Sequence, residues 1–251
     1  MDEDKLTVAM MYWGDWVERR IAYKYVENLV KALNEYLTIP FSVICFLDKT
    51  LPSIWGVEYR GIPKSIIKWS LNLPKFYLHC KDNGLQGKIL YFDLDTVIAG
   101  NINDFANYEA DGHIVGIKPF RPVNQNKGWL PGGVLAFTAG QWEFLFHKVA
   151  SNPSKWAMRT NGGKERFVYS LVLENEMKRY WQDVLPGQLV SYKRHCRKKE
   201  VDEKGNLISI IPKNSRIIAF HGSPRPHALK GSDDLMFSLW SKNEDIIAST
   251  N

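Results

Sequence analysis

The chain has 251 residues, of which 45% are hydrophobic and 24% charged, and its formal net charge is +6. This composition is that of an ordinary soluble globular protein, and the length suits one sizeable domain. No stretch reaches the ~18–20 apolar residues of a membrane span, and the acidic start, residues 1–5, does not resemble a secretory signal. Three scattered cysteines, Cys45, Cys80 and Cys196, argue against a disulfide framework or a zinc site. We therefore expect a cytoplasmic protein.

The positive charge concentrates in one segment, residues 193–199, which we call the basic segment. A moderate basic excess suits anionic ligands such as nucleotide sugars or anionic lipid surfaces. The striped, repeat-rich pattern of a dedicated nucleic-acid binder is missing, so we expect no nucleic-acid partner. A solvated loop is the alternative interpretation of this segment. A peripheral contact of the basic segment with an anionic membrane is a further expectation.

The N-terminal part of the chain predicts a βαβ unit. Residues 6–11 form an apolar run that predicts a strand, and residues 41–47 predict a second one. Between them, apolar side chains recur every four residues from Val17 to Leu33, which predicts a helix with Asp15 as its N-cap. Strand, helix and strand at this spacing predict a mostly parallel sheet.

The rest of the chain continues the alternation of helices and strands. Apolar runs predict strands at residues 89–92, 114–117, 134–137 and 217–220. Helices are predicted at residues 74–79, 141–151, 165–177 and 233–242, with turns at 83–84 and 202–206. We expect a single α/β domain over residues 1–251, with a first half at about 6–118. The second half, with a C-terminal loop, follows at about 119–251.

The motif Asp93-Leu94-Asp95 is the most informative feature of the sequence. It follows the apolar run of residues 89–92, so two carboxylates stand at the end of a buried strand. Burying unpaired charge is costly, and such a pair normally binds a cation or takes part in chemistry. Hard oxygen ligands suit Mn²⁺ or Mg²⁺, which keep positions open for substrate phosphates. A single carboxylate would be enough if the motif only capped the following turn.

Further polar clusters follow other predicted strands. In an open α/β sheet, ligands bind beyond the carboxyl ends of the strands. Tyr12 and Trp13, before Gly14, could stack on a base, and Asp48 ends the second predicted strand. Near the C-terminus, His221 would add a nitrogen ligand to the carboxylate pair, and the planar guanidinium of Arg225 suits bidentate phosphate contact.

Four stretches in this order resemble the GT-A fold glycosyltransferases, in particular the family 8-like group. Residues 6–48 resemble the nucleotide-binding start of that group, and residues 74–78 with 88–104 resemble its central Asp-x-Asp block. Residues 131–137 are similar to its glycine-bearing strand. Residues 220–226 are similar to its His-Gly-x-x-Lys-Pro block, with Arg225 in place of lysine.

The resemblance implies a metal-dependent transferase that moves a sugar from a nucleotide-diphosphate sugar, with a UDP-sugar favoured, to a glycan, lipid-linked or protein acceptor. Mn²⁺ (or Mg²⁺) would be held by Asp93, Asp95 and His221, and Glu165 would face the donor sugar as the catalytic carboxylate. Lys75 would approach the diphosphate or the donor sugar. The resemblance also implies that residues 6–118 are the nucleotide-binding half and that residues 119–251 are the acceptor half with a C-terminal metal and phosphate loop. The implied donor-binding residues are Tyr12, Trp13, Gly14, Asp48, Lys75, Asp93, Leu94, Asp95, Gly132, Gly133, His221, Gly222 and Arg225.

Two other functions compete with this one. A haloacid-dehalogenase-like phosphatase also has an apolar strand followed by Asp-x-Asp, and residues 231–234 could supply its final acidic motif. Its nucleophilic strand normally opens the domain, however, whereas a whole βαβ unit precedes Asp93. A basic carbohydrate- or nucleic-acid-binding module would use the basic segment but leaves the carboxylate pair unexplained. Glu165 has an alternative interpretation of its own, as a first-turn residue favoured by the helix dipole.

Overall fold

The structure, a computed structural model, describes residues 6–110 and 112–241. Its strands are β1 (Leu6–Tyr12), β2 (Phe41–Leu47), β3 (Val57–Gly61), β4 (Lys88–Phe92), β5 (Thr96–Ile98), β6 (Ile114–Gly116), β7 (Val134–Thr138), β8 (Lys178–Tyr180), β9 (Leu189–Ser191), β10 (Arg197–Val201), β11 (Leu207–Ser209) and β12 (Ile217–Ala219). Its α-helices are α1 (Arg19–Tyr36), α2 (Lys64–Ile67), α3 (Asn103–Asn107), α4 (Pro122–Gln125), α5 (Glu143–Ala150), α6 (Pro153–Arg159), α7 (Glu165–Val172), α8 (Trp181–Val184) and α9 (Asp234–Ser241). Short 3₁₀ helices cover Leu73–His79, Lys81–Asn83, Asn175–Met177 and Pro226–Leu229, and Tyr192–Cys196 forms a π-helical turn.

The described chain divides into two compact units that interleave along the sequence. The first unit contains residues 6–16, 40–93 and 108–184, and the second contains residues 17–39, 94–107 and 185–241. The chain thus passes between the units several times.

A seven-stranded sheet forms the first unit, in the order β3-β2-β1-β4-β7-β6-β8. The pairs β3–β2, β2–β1, β1–β4 and β6–β8 are parallel, and β7 runs antiparallel to both β4 and β6. The predicted mostly parallel α/β sheet is therefore confirmed. Because β4 lies between β1 and β7, the residues that follow it emerge near the middle of the sheet.

The core of the first unit covers one face of this sheet. Alternate residues of β1, β2, β4 and β7 point to this face, since side chains alternate along a strand. Against them pack the 3₁₀ helix Leu73–His79 and the helices α5 and α7, through buried residues that include Phe76, Leu145 and Tyr169. This packing holds the 3₁₀ helix and the start of α7 beside the strands.

The second unit has smaller sheets. Strand β12 pairs antiparallel with β5 and parallel with β9, and β10 pairs with β11 as a hairpin whose turn is the predicted one at residues 202–206. Helix α1 packs against β5 and α9. Its buried residues include Tyr25, Leu29 and Leu33, three of the positions whose spacing predicted the helix.

Some predicted elements were wrong in detail. Asp15 does not cap α1, because the helix begins at Arg19 after Glu18 and the Asp15 carboxylate instead contacts Lys49. Helix α7 ends at Val172 rather than at residue 177, since the chain must extend again for β8 to pair with β6. Strand β3 was not predicted, because it is a half-exposed edge strand without an apolar run. Residue 242, the predicted end of the last helix, lies outside the described residues.

Candidate active site

The end of strand β4 brings Lys75 and Asp93 together in the first unit. Residues two apart on a strand share a face, so Tyr91 reaches Asp93 and donates its hydroxyl hydrogen to Oδ1 over 2.7 Å. The Nζ atom of Lys75 lies 2.7 Å from the same oxygen and donates to the carbonyl of Gly132 over 3.1 Å. Lys75 is only 1% exposed, so its charge depends on these partners.

Glu165 completes this cluster from the first turn of α7. Its Oε1 accepts a hydrogen bond from the backbone nitrogen of Gly132 over 3.4 Å, and its Oε2 accepts one from Asn72. Burial alone raises the pKa of the Glu165 carboxyl, but the Lys75 ammonium and the hydrogen bonds from Asn72 and Gly132 outweigh it and leave the pKa below its usual range. Glu165 is therefore ionised at neutral pH although it is buried.

The pair Gly132-Gly133 allows these side chains to approach the backbone. A Cβ atom on Gly132 would lie 3.3 Å from Cγ of Glu165 and 3.4 Å from Cδ of Lys75. A Cβ atom on Gly133 would lie 3.2 Å from Cδ1 of Ile117. The carbonyl of Gly133 also accepts a hydrogen bond from the backbone nitrogen of Asp93 over 2.8 Å. The two glycines, which directly precede β7, thus allow close packing at the cluster.

A layer of uncharged polar side chains lies behind the cluster. His79 Nε2 is 2.9 Å from the hydroxyl of Tyr169, one turn after Glu165 on α7. Burial lowers the pKa of His79 to about 3, and burial, with nearby carboxylates such as Asp93, raises the pKa of Tyr91 and Tyr169 well above the usual value. The network around Lys75 therefore rests on groups that stay neutral at physiological pH.

Sequence reasoning missed several members of this network. Tyr91 was taken as part of an apolar run and His79 as the end of a predicted helix, and Asn72 stands alone before the 3₁₀ helix. One signal was present in the sequence: Tyr91 and Asp93 are two apart on one strand, which predicts a shared face. The contact of Asn72 with Glu165 joins residues 93 positions apart and has no local signature.

The ends of β1 and β2 also meet in the first unit. Asp48 Oδ2 accepts a hydrogen bond over 2.8 Å from the backbone nitrogen of Gly14, whose φ is +70°. The other oxygen, Oδ1, is buried and has no hydrogen-bond partner among the described residues. Tyr12 is buried in an edge-to-face contact with Trp16, whereas Trp13 keeps exposed surface and donates to the carbonyl of Leu71 over 3.1 Å. Trp13 is thus the better placed of the two predicted stacking rings.

The remaining predicted residues belong to the second unit. Arg225 Nη1 lies 2.6 Å from Oδ2 of Asp95, and the side chain of Asp95 is only 10% exposed. His221 Nε2 lies 2.7 Å from the hydroxyl of Ser191. Leu94 is buried, and Gly222 has a φ of +70°. Asp93 is thus the last residue of a segment of the first unit, while Asp95 has its ion pair in the second unit.

The proposed metal ligands have suitable chemistry but are engaged with other side chains. Two carboxylates and an imidazole are donors that Mn²⁺ accepts. Asp93 and Asp95 each contact a cationic side chain, and His221 contacts Ser191. Within residues 6–110 and 112–241, no three His, Cys, Asp or Glu side chains form a group arranged to hold a metal ion. Metal binding would therefore require some of these contacts to be exchanged.

The basic segment follows β9 in the second unit. Arg194, His195, Arg197 and Lys198 are exposed, so these side chains are accessible to a ligand or a surface. His195 Nδ1 accepts a hydrogen bond from the backbone nitrogen of Ser191 over 2.9 Å. None of the helices in the described part of the chain has the length and apolar character of a membrane span.

Comparison with known proteins identifies the fold. The sequence matches no family model and no curated protein. The solved structures similar to it include LgtC, a galactosyltransferase crystallised with donor and acceptor sugar analogues. LgtC is 10% identical, with a TM-score of 0.62 over 94% of this chain and 95% of LgtC.

Two other glycosyltransferases have similar structures. GlyE of Streptococcus pneumoniae TIGR4 is 14% identical, with a TM-score of 0.54 over 71% of this chain and 45% of GlyE. WbbM, a bifunctional glycosyltransferase, is 9% identical, with a TM-score of 0.54 over 88% of this chain and 46% of WbbM. The similar structures are GT-A glycosyltransferases, and LgtC is a member of family 8. The chain therefore has the GT-A fold that the sequence resemblance implied.

Proposed function

We propose that the chain is a glycosyltransferase that moves a sugar from a nucleotide-diphosphate sugar to a glycan, lipid-linked or protein acceptor. The observation that carries this proposal is the cluster of the buried Lys75 and Glu165 with the half-buried Asp93 beyond the carboxyl end of β4. Ligands bind at this end of the strands in open α/β sheets. The similarity of the fold to solved glycosyltransferases supports the same function.

The charge of the cluster suits the donor sugar better than the diphosphate. The Lys75 ammonium contacts Asp93 and acts electrostatically on the ionised Glu165, so the cluster of one cation and two carboxylates has one excess negative charge. Departure of a nucleotide diphosphate gives the sugar oxocarbenium character, which a fixed negative charge stabilises. Lys75 already has two carboxylates and a carbonyl as neighbours, so we assign it to the sugar side and not to the phosphates.

Glu165 supports this site as an ionised carboxylate. Both of its oxygens accept hydrogen bonds within the first unit, and its pKa lies below the usual range. An ionised group does not serve as a general acid, so we propose that it stabilises positive charge on the sugar and fixes Lys75. In its present contacts it would have to leave Asn72 or Gly132 to act as a nucleophile.

The nucleotide is assigned to the ends of β1 and β2. Asp48 Oδ1 is a buried acceptor without a partner among the described residues, and uracil carries a ring N–H that could donate to it. Trp13 keeps exposed surface for stacking on a base. Asp48 and Trp13 support a base that carries a ring N–H, and because the resemblance favours uracil among such bases, we propose a UDP-sugar as the donor.

We propose Mn²⁺ or Mg²⁺ as cofactor, with Asp93, Asp95 and His221 as the protein ligands. A divalent ion would neutralise the charge that develops on the departing diphosphate. Arg225 carries a planar guanidinium that matches phosphate oxygens and is assigned to the same diphosphate.

For the acceptor, we propose that the basic segment makes peripheral contact with an anionic membrane when the acceptor is lipid-linked. The exposed side chains of Arg194, Arg197 and Lys198 are available for such a contact. Sedimentation with vesicles of anionic and of neutral phospholipid tests this point. Binding to neither kind of vesicle would contradict the membrane contact and would leave the proposed donor site unaffected.

A thermal-shift panel tests the proposed function. UDP, GDP, CDP and TDP are each added with and without Mn²⁺, because a ligand that binds only the folded protein raises its melting temperature. We expect a shift that needs both UDP and Mn²⁺. No shift with any of the eight combinations, together with phosphate release from a generic phosphomonoester, would refute the transferase and support the phosphatase.

A further inference from the structure

Each carboxylate of the Asp93-Leu94-Asp95 motif is paired with a cation from its own unit. In the first unit, Lys75 is buried and is also anchored to the carbonyl of Gly132. In the second unit, Arg225 holds Asp95, and its side chain is 32% exposed. Of the two cations, Arg225 is therefore the one with room to move.

The pairing of Arg225 with Asp95 opposes the binding of another cation. Asp95 is only 10% exposed, so its interaction with the guanidinium at 2.6 Å is weakly screened by water. A divalent ion at this carboxylate would have to displace the guanidinium or stay beside it, and two like charges so close repel strongly. The displaced guanidinium would also need a new anionic partner.

A diphosphate is the partner that fits. It carries several negative oxygens, and the fork of an arginine side chain binds such oxygens in pairs, which a lysine ammonium does not do. The loop of residues 221–225 begins with His221, the proposed metal ligand, and ends in Arg225, so a diphosphate bound to that metal would be a partner for the guanidinium.

We propose that Arg225 is an exchangeable counter-ion of Asp95. It holds the carboxylate when no donor is present, and it transfers to the diphosphate when donor and divalent ion bind together. The proposal rests on the proposed function, since it needs a diphosphate donor. Its consequence is thermodynamic coupling: nucleotide and metal each strengthen the binding of the other, and Arg225 carries that coupling.

The first test measures Mn²⁺ binding without nucleotide, from the loss of the free Mn²⁺ signal in electron paramagnetic resonance. Arg225→Gln removes the competing charge, so we expect it to bind Mn²⁺ about tenfold more tightly than the wild type, within the usual range of coupling. Lys88→Gln is the matched control. Lys88 forms an ion pair of the same length, 2.6 Å, with Glu109 at the other end of β4, and we expect its loss to leave Mn²⁺ binding unchanged.

The second test adds UDP, or whichever nucleoside diphosphate gives the shift in the thermal panel. In the wild type we expect the nucleotide to raise Mn²⁺ affinity severalfold beyond chelation by the nucleotide itself. In Arg225→Gln we expect the ratio of the Mn²⁺ affinity with nucleotide to the Mn²⁺ affinity without it to fall towards one. A guanidinium that only repelled cations, without moving to the phosphates, would change Mn²⁺ binding but leave the ratio as in the wild type.

Three results overturn the proposal. If Arg225→Gln binds Mn²⁺ no more tightly than the wild type, Arg225 does not compete with the metal ion. If the ratio of Mn²⁺ affinities with and without nucleotide is unchanged in Arg225→Gln, the guanidinium does not move to the diphosphate. Both results leave the proposal of a transferase intact. No Mn²⁺ binding by any variant, with or without nucleotide, would refute the metal site and the exchange together. If circular dichroism shows that Arg225→Gln is unfolded, Arg225→Met takes its place, because methionine also removes the charge; the same gain in affinity is expected, and an unchanged affinity counts against the exchange.

Discussion

Replacing Lys75 by methionine gives a direct test of the buried cluster. The substitution keeps an unbranched side chain of similar length but removes the only cation that contacts Asp93 Oδ1 among the described residues. Asp93 then keeps its bond from Tyr91, and Glu165 keeps those from Asn72 and Gly132. Two carboxylates would remain without the charge that compensates them.

The size of the effect follows from burial. Removing one partner of a buried ion pair costs about 3–5 kcal/mol, because the remaining charge is left without compensation. Glu165 is 8% exposed, but the Asp93 side chain is 33% exposed and partly stabilised by water. We therefore expect Lys75→Met to lower the free energy of unfolding by about 3 kcal/mol, at the lower end of that range.

The assay is urea denaturation at pH 7 of four proteins: wild type, Lys75→Met, Glu165→Gln and the double variant. Glu165→Gln removes one of the charges left behind, so the double variant should be about 1–3 kcal/mol more stable than the sum of the single losses predicts. Lys118→Met is the control. Lys118 contacts Asp183 at 2.8 Å, but both side chains are substantially exposed, so its loss should cost under about 1 kcal/mol.

Two results would refute this reasoning. If Lys75→Met cost no more than Lys118→Met, the buried cluster would not depend on its ammonium. If the losses of the two single variants simply added in the double variant, Lys75 and Glu165 would not interact, and the assignment of a fixed carboxylate to the sugar site would lose its basis.

Three further predictions concern pH, backbone strain and turnover. Burial lowers the pKa of His79 from 6.5 to about 3, so on acidification this histidine is protonated in the unfolded chain before it is protonated in the folded protein. The free energy of unfolding therefore falls as the pH drops from 6.5 towards 3. Each pH unit in this range lowers the free energy of unfolding by about 1.4 kcal/mol. In urea titrations, His79→Gln should lose less stability than the wild type over the same pH range. Leu71 is 55% exposed and has a φ of +45°, a left-handed conformation that strains a leucine but not a glycine. Leu71→Gly should therefore raise stability by about 0.5 kcal/mol, measured as a higher melting temperature. A lower melting temperature would show that the leucine is not strained. Asp95→Ala should abolish metal-dependent sugar transfer while circular dichroism shows an unchanged fold; full activity would exclude Asp95 as a ligand.

The fold could be predicted from the sequence wherever the pattern of apolar residues was strong. Strands β1, β2 and β4 are buried apolar runs, and α1 has a clear four-residue repeat. Strand β3 has no such pattern because it lies at an edge and pairs on one side only. The antiparallel course of β7 was also beyond prediction, since strand direction is set by long-range pairing and not by local sequence.

The candidate site was predicted in its charged residues but not in their partners. Residue types and spacing indicated Asp93 and Asp95, and the resemblance indicated Lys75 and Glu165. The sequence could not show that Lys75 contacts both Asp93 and Gly132, because these residues lie on three separate segments. Nor could it show that the two carboxylates of the motif have ion pairs in different units.

The interleaved units have a consequence for synthesis on the ribosome. The last segment of the first unit ends at residue 184, whereas the second unit needs residues 185–241 to complete its three-stranded sheet. Strand β5 therefore emerges more than a hundred residues before its partner β12, and during this interval the apolar face of α1 has no finished core of its own unit. Nascent chains released before residue 217 should hold a folded first unit and an unfinished second one, so we expect α1 and β5 to be the segments most exposed to aggregation and proteolysis during synthesis.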